Sequence, residues 1–107
     1  MYAMACTVTI VFTKLGVSKY MSHLDLLRLF GRAARRAQLP FAVSEGFSKH
    51  PKIVITRALK LGQESESEEA VVRLTREMPL LEFTKKLQDE LPEGIGIRKV
   101  YTTTPSN

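Results

Sequence analysis

The chain has 107 residues, room for one domain around one modest core, and its 44% hydrophobic and 25% charged content is that of a folded globular protein. No apolar run approaches the roughly 18 residues of a membrane span, residues 1–12 lack the features of a signal peptide, and the single cysteine, Cys6, excludes an internal disulfide framework or multi-cysteine cluster. The net charge of +5 is uneven: residues 1–60 carry a formal +8 and residues 61–107 a formal −3, which points to an anionic partner for the first half, nucleic acid being the commonest.

Residues 6–13 alternate as a half-buried strand, with Val8, Ile10 and Phe12 on one side and Thr7, Thr9, Val11 and Thr13 on the other. A basic loop, residues 14–21, follows and contains Lys14, Lys19 and Tyr20. Ser22 and Asp25 form a capping-box pattern that predicts a helix over about residues 23–38. On a wheel of about 100° per residue, Leu26, Phe30, Ala33 and Ala37 share one face, and Arg28, Arg32, Arg35 and Arg36 the opposite one.

Pro40 ends that helix, and the long connection after it, residues 41–51, is of a length that is often functional; residues 41–44 form a short extended stretch against a sheet edge in one reading of it. Residues 52–57 predict a second strand with Ile53 and Ile55 inward. Residues 63–69, rich in glutamate, read as a hairpin turn, and residues 70–75 as the third strand. Residues 79–91 predict a second helix with Leu80, Phe83, Leu87 and Leu91 as its apolar stripe. Residues 95–102 predict a fourth strand, and a polar tail begins at about 103.

The order β-α-β-β-α-β predicts one α+β, ferredoxin-like domain over residues 1–107, a four-stranded antiparallel sheet with two helices on one face. Val8, Ile10, Phe12, Leu26, Phe30, Ile53, Ile55, Val72, Leu74, Phe83, Leu87 and Ile97 are the expected core. The other face of the sheet stays open, mixing Val and Thr with Lys52 and Arg73. RNA-recognition-motif domains share this order but stack bases on aromatics of the central strands. Here the third strand has none and Phe12 points inward, which argues against a standard domain of that kind.

His23 and His50 titrate near neutral pH without help and both stand at element starts. Metal-independent RNA cleavage needs little more than a histidine to move protons and cations to hold a phosphate; Lys49 and Lys52 with the Tyr20 hydroxyl would supply the rest. Surface or capping histidines are the plainer explanation. Two histidines are too few for a structural zinc site, Glu64, Glu66, Glu68 and Glu69 lack calcium-loop spacing, and no glycine-rich phosphate loop is present, so no metal or cofactor is expected.

Residues 18–72 carry Ser22, His23, Asp25, Arg35, Arg36, Pro40, Ser44, Gly46, Phe47, His50, Pro51 and Lys52 at spacings that resemble the radical S-adenosylmethionine (SAM)-linked domain family, and the resemblance extends more weakly through residues 91–97. The resemblance implies a stand-alone or half-length member, working beside a separate radical SAM enzyme. The family has no assigned reaction, and its separate members are often encoded beside ribosomal-protein and RNA-processing genes. The chain lacks the three-cysteine motif of radical SAM enzymes and does not perform that chemistry itself.

The leading expectation is a cytoplasmic accessory domain that binds tRNA or ribosomal RNA through Lys14, Lys19, Arg28, Arg32, Arg35, Arg36, Lys49 and Lys52. The alternatives are a metal-independent endoribonuclease using His23 or His50, and a protein–protein adaptor working through the open sheet face. Homodimerisation through that face is a further expectation, and no membrane association is expected.

Overall fold

The computed structural model describes residues 6–43, 52–56 and 62–103. The first strand, β1 (Cys6–Lys14), keeps the alternation of its sequence: Val8, Ile10 and Phe12 are fully buried on one side. It pairs antiparallel with β3 (Ser65–Leu74) on one flank and β4 (Ile97–Thr103) on the other, and β2 (Ile53–Ile55) adds outside β3. The resulting order, β2-β3-β1-β4, is the ferredoxin-like arrangement, with the first and third strands central as expected.

Between β1 and β2 lies α1 (His23–Arg36), and between β3 and β4 lies α2 (Leu80–Gln88). The capping box closes the start of α1: the Asp25 amide donates to Ser22 Oγ at 3.1 Å, and the Ser22 amide donates to the Asp25 carboxylate at 3.1 Å. Leu26, Phe30, Ala33 and Ala34 of α1 and Phe83 and Leu87 of α2 are buried in one cluster with the even-numbered residues of β1 and β3, so both helices cover the same face. Every residue expected in the core belongs to that cluster, with Ile53 and Ile97 at its partly buried margin. Phe12 and Phe30 meet edge to face at 4.9 Å.

Several boundaries differ from the sequence reading. The expected turn at residues 63–69 is mostly strand, because β1 offers backbone partners along its whole length, from Cys6↔Leu74 to Lys14↔Ser65. Alternating Ser and Glu carries no apolar period, so nothing in the side chains announced it. A register shift between Phe12 and Lys14 accommodates the extra residue of β3. The basic loop is in part a 3-10 turn, Gly16–Tyr20. α2 is shorter than residues 79–91: Pro92 disfavours helix at Leu91, and the Gln88 amide turns to β4, accepting from the Ile97 amide at 2.7 Å and donating to the Ile95 carbonyl at 3.1 Å.

Phe41 does extend against the sheet, bridged to Leu74 and stacked on Phe83 at 6.3 Å. The remainder of the long connection, residues 44–51, lies outside the described residues, as does the polar tail from residue 104.

Candidate nucleic-acid interface

With its apolar stripe anchored in the core, α1 turns Arg28, Arg32, Arg35 and Arg36 outward, and all four are exposed. Among the described residues the ion pairs lie elsewhere, at Lys86–Glu82 (3.1 Å) and Arg98–Glu66 (2.7 Å). Arg35 is engaged in a contact of its own. Arg28 stands one turn from Asp25, whose carboxyl is held below its ordinary value by the Ser22 amide, the Ser22 hydroxyl and then the Arg28 charge. Arg32 and Arg36 line a shallow groove that Asp89 and Glu90 line with them, so one flank of the arginine face is acidic.

The other expected cations do not gather on this face. Lys14 is 2% exposed, because it follows the inward alternation of β1 past the register shift; it is not a surface cation. Lys52 lies on the opposite, open side of the sheet, in a groove with Thr7, Val54, Val71 and Arg73. Lys19 sits with its ammonium 5.3 Å over the Tyr20 ring, and Tyr20 is 61% exposed. His23 opens α1 and is exposed. Lys49 and His50 lie outside the described residues.

The sheet's open face contains residues that sequence reasoning passed over. Val54 pairs with Val71, Val71 with Thr9, and Thr9 with Tyr101, so one row of side chains crosses all four strands. Directly opposed residues of antiparallel strands share a face, and Thr9 is on the face away from the helices. Tyr101 and Lys99 are therefore on the open face, with the Lys99 ammonium 5.5 Å over the Tyr101 ring. Alternation counted from the inward Ile97 would put Lys99 and Tyr101 on the covered side; the register shift between Val11 and Phe12 reverses it, so the sequence pattern carried no signal for this pair.

Two further groups bear on chemistry. Glu68, read as a turn residue, is 0% exposed on the covered side of β3, and neither carboxylate oxygen has a hydrogen-bond partner. Burial first, and the charge of Glu77 second, push the Cys6 thiol above its ordinary value, which makes it a poor nucleophile at neutral pH. Among the described residues no group of three or more His, Cys, Asp or Glu is placed to hold a metal ion, and no helix is long and apolar enough to cross a membrane.

The fold and the arginine-bearing helix define the class: a small α+β domain with a four-stranded antiparallel sheet, helices on one face and a cationic surface. The chain belongs to the family described as "Uncharacterized protein conserved in bacteria (DUF2344)", whose model matches residues 7–106. No curated protein and no solved structure matches the chain.

Proposed function

We propose that the chain is an RNA-binding accessory domain that works beside a separate radical SAM enzyme, with the outer face of α1 holding the phosphate backbone. The observation that carries this reading is the outward row Arg28, Arg32 and Arg36, presented by a helix fixed in the core and outside the ion pairs of the described residues. Arg28/Arg32 and Arg32/Arg36 are like-charge i,i+4 pairs, each costing a few tenths of a kcal/mol until an anion sits between them. The planar guanidinium donates two hydrogen bonds at once to a phosphate. Asp89 and Glu90 repel an anion from the groove and confine phosphates to the solvent side of the helix. The partnership with a radical SAM enzyme rests on the sequence resemblance of residues 18–72.

The test is a structured RNA titrated with the native chain and with Arg32→Gln/Arg36→Gln. Glutamine is chosen because new carboxylates would face Asp89 and Glu90. The double variant binds more weakly for every RNA sequence tried, and its plot of log K against log salt is flatter by about 1.5, close to two phosphate contacts. Its melting temperature stays near that of the native chain. Unchanged affinity in the double variant would remove the helix from the contact surface.

A further inference from the structure

We infer that the open face of the sheet is a platform for single-stranded nucleic acid, separate from the arginine face of α1, on which bases stack against Tyr101 and the Arg73 guanidinium. The register assembles it. The row Val54–Val71–Thr9–Tyr101 spans three strand spacings, about 14 Å. RNA-recognition motifs stack two or three bases on aromatics of the central strands of such a sheet; here the ring lies on the edge strand β4 and the guanidinium on β3.

Cations surround the row. Arg73 and Lys52 lie at one corner, joined by the Arg73 amide donating to the Lys52 carbonyl at 3.2 Å, and Lys99 lies beside Tyr101. Glu69, opposite Val11, is an acid of this face; it accepts from Thr56 Oγ at 3.3 Å and keeps its charge, so the cations outnumber it. Three cations, Lys52, Arg73 and Lys99, are left outside ion pairs among the described residues.

The composition selects the occupant. Val54 at 60% exposure is the only large apolar residue of these strands that is well exposed among the described residues, too little apolar surface to anchor a protein partner. A second copy docked face to face by two-fold symmetry would bring one surface carrying Lys52, Arg73 and Lys99 against another of the same net sign. A single strand supplies what the face lacks: phosphates for the cations and flat bases for the ring and the guanidinium. The ammonium of Lys99, at the outer range of a cation–π contact, moves to a phosphate when a base takes the ring face.

The probe is a fluorescein-labelled oligouridylate of about 12 nucleotides, within the site size of such surfaces. The native chain binds it at about 50 mM salt, and affinity falls as salt rises. Tyr101→Ala weakens binding about ten-fold or more, whereas Tyr101→Phe stays within about two-fold, because stacking needs the ring and not the hydroxyl. The chain has no tryptophan, so its tyrosine emission reports directly; oligouridylate quenches it in the native chain and quenches Tyr101→Phe less. If Tyr101→Ala fails to fold, Arg73→Gln, at an exposed position, carries the test with an expected loss of several-fold. The quench separates this site from the helix: Arg32→Gln/Arg36→Gln loses phosphate contacts and affinity but at saturation keeps the native tyrosine quench, whereas Tyr101→Phe does not. No binding at low salt, or equal affinity of the native, Tyr101→Ala and Arg73→Gln chains, overturns the inference. So does a dimer in sedimentation that Tyr101→Ala converts to monomer.

Discussion

Gln38 holds a φ of +57°, in the left-handed region that glycine favours. It follows the C-cap Ala37, two residues past the end of α1, in a Schellman closure: the Leu39 amide donates to the Ala34 carbonyl at 3.0 Å, and the Gln38 amide to the Arg35 carbonyl at 3.1 Å. Gln38→Gly relieves the Cβ strain and raises stability by up to about 1 kcal/mol in urea melts. Gly94 is the reverse case. At φ +96°, a Cβ there would stand 2.4 Å from the Leu15 carbonyl oxygen and 2.7 Å from Ser18 Oγ. This junction ties the chain after β1 to the loop before β4, since Leu15 and Thr13 both donate to the Gly94 carbonyl. Gly94→Ala therefore costs about 3 kcal/mol, read as a lower urea midpoint at unchanged slope.

Asp25 sets a pH dependence with a definite sign. Its carboxyl titrates lower in the folded chain than in the unfolded one, so its contribution is fully present above the unfolded value of about 3.9 and is lost as pH falls through the folded value. Melts between about pH 5 and pH 2 show less acid destabilisation in Asp25→Asn than in the native chain. The Ser22–Asp25 pair was legible in the sequence because capping chemistry depends on residue types at fixed spacing. Gln38 was not, because glutamine gives no sign of a left-handed conformation that tertiary packing imposes.

At the scale of elements, the central strands and both helices followed from apolar periodicity. The first half of β3 did not, because backbone pairing with β1 outweighs its glutamate-rich side chains. That pairing carries Glu68 into the covered face, where an unpartnered carboxylate costs free energy. Glu68→Leu is expected to raise stability by about 1–3 kcal/mol, and a large drop in its melting temperature would show that the carboxylate has a partner in the folded chain. Phe30 is the opposite kind of buried residue, enclosed in the cluster and packed edge to face on Phe12. Phe30→Ala costs about 3–5 kcal/mol, close to the whole stability of so small a domain, and an unchanged melting temperature would contradict the packing described.

Across the whole molecule, the charge asymmetry of the sequence was visible but its geometry was not. A linear count joined Lys14, Lys52 and the α1 arginines in one footprint; the fold buries Lys14 and sends Lys52 to the other side of the sheet. What remains on the helical side is the arginine row, flanked by Asp89 and Glu90 from a segment remote in sequence. The most direct measurement of the central claim is the salt dependence of structured-RNA binding by the native chain. Three phosphates held by Arg28, Arg32 and Arg36 predict that log K falls against log salt with a slope of about −2 to −3. No binding at about 50 mM salt, or binding that salt leaves unchanged, would contradict the assignment of RNA to the arginine face.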